Sequence, residues 1–199
     1  MPYSPDHKEH TRNRILRSAA RLFNRKGFSE ATIGEIMTAA GLTHGGFYRH
    51  FSSKDKLYAE AVRYFLCKDA PEPWQRVSDN LRKTDQPFAR FIVDAYLSRD
   101  HLNDRDGSCP LIGLPSDVAR TSKTVKAAYR GVAESMIQVF EANLNGPKAH
   151  ERALVVIALC VGGMVLARAM DDKALADDLR DAAHKHVLMT AGWGEVRGH

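Results

Sequence analysis

Cysteine is scarce in this chain, and long apolar stretches are scarcer still. The 199 residues hold three cysteines, Cys67, Cys109 and Cys160, odd in number and far apart. That argues against a disulfide framework and suits reduced thiols in a cytoplasm. The longest apolar run, Ala153 to Ala167, is too short for a bilayer span. The opening stretch MPYSPDHKEHTRNR lacks the apolar region of a secretory signal. Strand-like alternation, internal repeats and low-complexity tracts are missing, which leaves an all-helical reading. The nine histidines include no H-x-x-x-H pair, and no C-x-x-C exists. His184 and His186, two apart on a helix, point in different directions and cannot chelate together, so a structural zinc site is rejected. Nothing in the sequence asks for a cofactor. Without a Ser-His-Asp arrangement, a phosphate loop or paired acids at an obvious spacing, an enzyme is not expected either.

Positive charge is present, and it is concentrated. The formal net charge is +5. Residues 1–70 hold 12 Lys and Arg against 7 Asp and Glu, while the remainder holds 17 of each. The whole excess therefore sits on the first third of the chain, as a phosphate-facing module requires. The same region contains ATIGEIMTAAGLTHGGFYRHF, Ala31 to Phe51. Thr32 and Glu35 have the spacing of a capping box, which satisfies two orphan amides at a helix start. Ile33, Ile36, Met37 and Ala40 recur at helical spacing, and Gly41 stops that helix. A second short helix follows, with Thr43 as N-cap, Phe47 and Phe51 inward, and His44, Tyr48, Arg49 and His50 exposed. Donors and aromatics in front of an anchored apolar back are what a recognition helix needs. Upstream, Ile15, Ala19, Leu22 and Phe23 mark a helix from about Lys8 to Lys26 that Gly27 ends. Downstream, Ser52-Ser53-Lys54-Asp55 is another start signal, with Leu57, Ala61, Tyr64 and Phe65 behind it. Lys54 opposes the helix dipole there, which makes sense if a phosphate lies beside it.

The pattern T-I-x-x-I-x-x-A-x-G-L-T-x-x-x-F-Y-x-H-F-x-S-K-x-x-L, Thr32 to Leu57, resembles the DNA-binding domain of the TetR family of bacterial regulators. The likeness covers about a third of the chain, and the rest resembles the family only in length and helical character. It implies that Thr32, Thr43, Tyr48, His50 and Lys54 hold phosphates. It also implies that His44, Gly45, Gly46 and Arg49 occupy the variable positions facing base edges. Arg49 or His44 would then read guanine. The glycine pair either lets the backbone approach the duplex or leaves the free helix frayed.

Pro71 and Pro73 suggest a boundary, giving a helix-turn-helix domain over 1–70 and a ligand-binding and dimerisation domain over 71–199. A short helix is expected from near Pro73 through Leu81, then a longer one entered at Pro87 and left by Gly107. Pro110 suits a first helical position, and Pro115 forces a kink or restart. A further helix containing Val125 to Phe140 ends at Asn145-Gly146-Pro147. The stretch 148–170 is apolar on nearly all sides, and 173–191 is amphipathic, with Leu175, Leu179, Ala183, Val187 and Thr190 on one face. Gly162-Gly163 would allow close helix approach. The resemblance implies that these last two helices pair with a second copy; the alternative is a monomer wrapped around the apolar helix. It also implies a pocket for a small apolar or aromatic effector. Trp74, Phe88, Phe91, Ile92, Tyr96 and Tyr129 are candidate lining residues, with His101 or Arg99 as polar anchor, although such aromatics equally suit a core. Cys109, in Ser108-Cys109-Pro110, stands where a helix start would favour a thiolate, and is either a sensor thiol or a small buried residue at a tight corner. The expected protein is a cytoplasmic, homodimeric repressor. It would bind a pseudo-palindromic double-stranded operator and be released by its effector. The alternatives are a redox or electrophile sensor acting through Cys109 and, less in keeping with the sequence, a thiol-dependent enzyme.

Overall fold

The computed structural model describes residues 5–65 and 88–193, and every regular element among them is helical. The helices are α1 (Pro5–Glu30), α2 (Ile33–Ala39), a 3-10 helix (His44–Arg49), α3 (Lys54–Tyr64), α4 (Phe88–Tyr96) and α5 (Arg99–Asn103). They continue with α6 (Pro110–Gly113), α7 (Pro115–Ala119), α8 (Lys123–Ala142), α9 (Ala149–Ala169) and α10 (Lys173–Ala191). The chain divides into two compact units: Met1–Ala70 with Arg105–Val132, and Pro71–Asp104 with Ala133–His199. The helix expected at Trp74 to Leu81, the prolines of the proposed boundary and Cys67 lie outside the described residues.

In the first unit α1 runs past Gly27 instead of stopping there. The chain kinks at Gly27, with φ 77° and ψ 175°, and turns helical again to Glu30. Phe28 then packs against Phe23 and Tyr58, with ring centroids 6.1 and 4.8 Å away. The kink is secured from outside α1, because the Phe28 amide donates to Asp117 Oδ2 at 2.7 Å. The segment that brings Asp117 there lies along α1. Asn24 donates to the carbonyls of Asp106 and Ser108 at 3.1 and 2.9 Å, and Arg21 and Arg25 both pair with the Asp106 carboxylate. Pro110 and Pro115 each open a short helix at the first position, where a missing N–H costs nothing. Isoleucine, leucine and aromatic side chains of α1, α2, the 3-10 helix and α3, among them Ile15, Ile36, Phe47, Leu57 and Tyr58, form a fully enclosed core.

In the second unit α9 and α10 lie together. A Cβ at Gly163 would sit 2.6 Å from the Ala183 Cβ, so the two backbones approach as closely as a bare glycine permits. Gly162 has nothing within 4 Å, so only one of the glycine pair serves that packing. On α10 the buried positions are Ala176, Ala183, Val187 and Ala191, whereas Leu175, expected inward, is exposed. Ala183, small enough to meet Gly163, marks the buried side of α10. Asp172 caps α10 by accepting from the amides of Ala174 and Leu175. Gly192 closes it in the left-handed conformation with φ 72°. The apolar run becomes part of a helix of 21 residues, extended at both ends, which length and composition alone would allow to cross a membrane. Ala153, Val156, Cys160, Met164 and Ala167 are buried along it, while Leu154, Val155 and Leu166 are exposed.

Candidate nucleic-acid interface

Local chemistry builds the helix-turn-helix. The Thr32 hydroxyl accepts the Glu35 amide at 3.2 Å, and Glu35 Oε2 accepts the Thr32 amide at 2.9 Å, completing the capping box. Lys26 adds an ion pair to Glu35 at 2.6 Å. The Lys26 bond and the Thr32 bonds hold the Glu35 carboxyl at about 2. At the other end of α2 the chain reverses through Gly41 at φ 67°, and the Leu42 amide returns to the Met37 carbonyl at 2.8 Å. Arg14 of α1 reaches the Ala40 carbonyl at 2.5 Å, so α1 also secures the end of α2.

The next helix is a 3-10 helix and not an α-helix, six residues from His44 to Arg49. Two consecutive glycines, costly in an α-helix, account for the tighter and shorter form. Thr43 caps it by backbone conformation alone, so its exposed hydroxyl is not spent on capping. Phe47 and Phe51 point inward and are buried, their ring centroids 5.9 Å apart. On the opposite side His44, Gly45, Tyr48 and Arg49 are exposed, Tyr48 at 65%. Gly46 is half-buried against Met37.

The cap of α3 is Ser53, one residue later than the Ser52-to-Asp55 spacing suggests; its Oγ accepts the Lys56 amide at 3.1 Å. Lys54 stretches back over the Phe28 ring at 4.5 Å and reaches the Ser29 carbonyl at 3.4 Å. Burial lowers its pKa, opposed by the pull of Asp55 and Asp117. The Thr32 hydroxyl also donates to Glu35 at 2.9 Å and is thus occupied by the capping box.

His50 is half-buried, and its Nδ1 is sealed from solvent without a hydrogen-bond partner. Burial lowers its pKa first, and the cations Lys8, Arg12 and Arg49 lower it further. Beside it is a cleft of about 630 Å³ floored by Met37 and Leu42. Its walls include Thr43, Arg49 and His50, together with Lys8 and Thr11 from α1. The α1 residues were not among the sequence candidates. Lys8 carried a usable signal, since a lysine in a first helical turn opposes the dipole just as Lys54 does.

The expected effector residues are placed unevenly. Tyr96 and His101 come together with ring centroids 4.9 Å apart, and His101 Nδ1 bonds the Tyr96 carbonyl at 2.7 Å. Both are buried. Phe91 and Ile92 are half-buried, and Phe88 is 43% exposed. Arg99 is committed to Asp177, with Nε at 3.1 Å from Oδ1. In the other unit, Tyr129 donates to the Leu111 carbonyl at 3.2 Å, while Cys109 is 1% exposed before a helix of only four residues. Trp74 lies outside the described residues. Cys160 is buried in α9, which pushes its thiol pKa up. Among the described residues no group of three or more His, Cys, Asp or Glu is arranged to hold a metal.

Fold and site together define a helix-turn-helix unit in a chain whose second unit is also helical. Residues 15–61 match the family model described as bacterial regulatory proteins, tetR family. The chain is 46% identical over 52 residues to the HTH-type transcriptional regulator AcrR of Shigella flexneri, covering 26% of this chain and 24% of that protein. It is 34% identical over 65 residues to the HTH-type transcriptional repressor KstR2 of Mycolicibacterium smegmatis, covering 33% and 32%. The chain thus spans a quarter to a third of the length of these relatives. A TetR regulator from Chloroflexus aurantiacus superposes with TM-score 0.72 at 25% identity, covering 92% of this chain and 95% of that one. Over its helix-turn-helix segment the chain is thus similar to TetR/AcrR-type transcriptional regulators, and its described helices share their fold.

Proposed function

We propose that this protein is a ligand-responsive repressor that binds a pseudo-palindromic operator as a homodimer in the cytoplasm. The observation that carries the reading is the 3-10 helix. Its exposed face offers His44, Tyr48 and Arg49 while Phe47 and Phe51 anchor its back. Thr43, Tyr48, His50 and Lys54 serve phosphates and set register, and Thr32 contributes through the amide end of α2 because its hydroxyl is already used. Arg49 and His44 read base edges across the Gly45-Gly46 backbone. The functional division runs at residue 70, with the effector received by residues of 71–199.

Support for the dimer lies in the second unit. Leu154, Val155 and Leu166 of α9 and Leu175 and Met189 of α10 are exposed apolar side chains, Leu166 at 51% and Met189 at 63%. A second copy covers such a surface on two helices and brings two recognition elements onto one operator. Repression agrees with the KstR2 relative, which carries that word in its description. The effector is small and apolar or aromatic, in contact with Phe88, Phe91 and Ile92. The thiol-sensor alternative has less support, because Cys109 is almost completely enclosed.

Footprinting upstream of its own and neighbouring genes tests the reading. A protected, pseudo-symmetric site with half-sites about one helical turn apart is the expected result. A protein that protects no duplex, or binds one half-site at full affinity as a monomer, contradicts it.

A further inference from the structure

The cleft beside His50 extends the proposed DNA interface onto α1, and the inference rests on that reading. Three features meet there. The first is unspent charge: Lys8 and Arg49 have no ion-pair partner among the described residues, and Arg49 is exposed. The second is arrangement. Thr11 and Thr43 both line a space of about 630 Å³, large enough for a phosphodiester with part of its sugar. The third is the state of the His50 ring. With Nδ1 sealed and unpartnered, a proton placed there would be a buried, unpaired donor beside three cations, Lys8, Arg12 and Arg49. The ring therefore keeps its single proton on Nε2, the nitrogen not sealed. Of those cations Arg12 is paired with Glu60 of α3, whereas Lys8 and Arg49 have no carboxylate partner among the described residues, and α2 contributes the apolar Met37. His7, the other titratable group of the cleft, belongs to the same turn of α1 as Lys8.

We propose that this cleft seats a DNA phosphodiester next to the recognition helix, with Lys8 and Arg49 supplying charge, Thr11 a hydroxyl, and His50 one N–H from an uncharged ring. A neutral donor suits the place. It adds a directed bond without a fourth positive charge that would repel its neighbours in the free protein. The division of labour separates two measurable quantities, because only the charged contacts release counterions.

The test uses the full chain and a duplex carrying its footprinted operator. Lys8→Ala, on an exposed side chain, weakens binding to all sequences and flattens the dependence of log K on log salt by about one unit. His50→Ala weakens binding about fivefold or more at an unchanged salt slope, since it removes a hydrogen bond and no charge. His50→Gln keeps a donor that cannot be protonated, and it restores most of the affinity and guards against a folding defect. The affinity ratio of the parent to His50→Gln stays level from about pH 8 to pH 6. Inorganic phosphate at matched ionic strength does not displace the duplex. An unchanged salt slope in Lys8→Ala overturns the proposal. So does a ratio that climbs as pH falls, or displacement by inorganic phosphate, which would make the cleft a free-anion site. If the parent binds its operator and Lys8→Ala binds identically, only the cleft assignment fails. If the parent binds no duplex, the functional reading falls with it.

Discussion

His101 is a titratable ring enclosed by protein, with Nδ1 on the Tyr96 carbonyl. Burial lowers its pKa to about 4, against the opposing pull of that carbonyl. A depressed histidine pKa means that the unfolded chain takes up a proton where the native one does not. Stability is therefore complete above about pH 6.5 and falls as pH drops toward about 4, by up to roughly 3 kcal/mol. Urea melts across that window follow the loss, and His101→Asn removes its slope. Glu35 behaves differently. Its carboxyl is held at about 2 by Lys26 and Thr32, so its contribution is present above the ordinary carboxylate range and is lost progressively as pH falls from that range through about 2. At the DNA face, Arg49→Ala should relax preference at particular base pairs by about 1–3 kcal/mol. Lys54→Ala should weaken all sequences alike and flatten the salt slope by about one unit. Uniform losses in both variants contradict the split into base-reading and phosphate-holding residues.

The end of α1 depends on a contact from a distant part of the chain. Gly27 holds φ 77° and ψ 175°, and a Cβ there would lie 2.4 Å from Asp117 Oδ2. Gly27→Ala is expected to destabilise the protein by about 1–3 kcal/mol, from backbone strain and displacement of that carboxylate. Asp117→Ala leaves the Phe28 amide without its acceptor and costs about 1–2 kcal/mol. The pair is not additive, since both act on one turn, and a double variant in thermal unfolding reveals the shortfall. Gly163 makes the equivalent case in the second unit. Gly163→Ala drives a methyl into Ala183 and costs about 1–3 kcal/mol despite the better helix propensity of alanine.

For the whole molecule, association and DNA binding are expected to be linked. Leu166→Glu places a charge among the exposed apolar side chains of α9 and should give a monomer in sedimentation. The monomer then meets each half-site separately and loses at least about tenfold in operator affinity, the effect of losing bivalency. Its unfolding should change little within the single chain, because Leu166 is half exposed there. A Leu166→Glu protein that stays dimeric assigns the interface elsewhere. A monomer that binds the full operator as tightly as the parent contradicts the dimeric reading of repression.

Much of this protein follows from local physics, and those parts were legible before any coordinates. The capping box at Thr32 and Glu35, the left-handed Gly41 and the proline-started helices at Pro110 and Pro115 depend on residues within a few positions of each other. So does the inward pair Phe47 and Phe51, and short-range hydrogen bonds and periodicity determine them all. Where the sequence reading missed, the deciding partner was remote or the margin was small. Gly27 ends a helix by local rules, yet Asp117 turns it into a kink inside one. Ser52 and Ser53 compete for the same cap, and only packing places Ser53 at the start of α3. Leu175 fits the periodic face of α10, but Ala183, meeting Gly163 of α9, marks the side that turns inward. The cleft of Lys8, Thr11 and His50 joins side chains about forty positions apart, and sequence spacing cannot show that. Tertiary structure alone also decided that Cys109 is enclosed, because burial is a property of neighbours contributed by the rest of the chain.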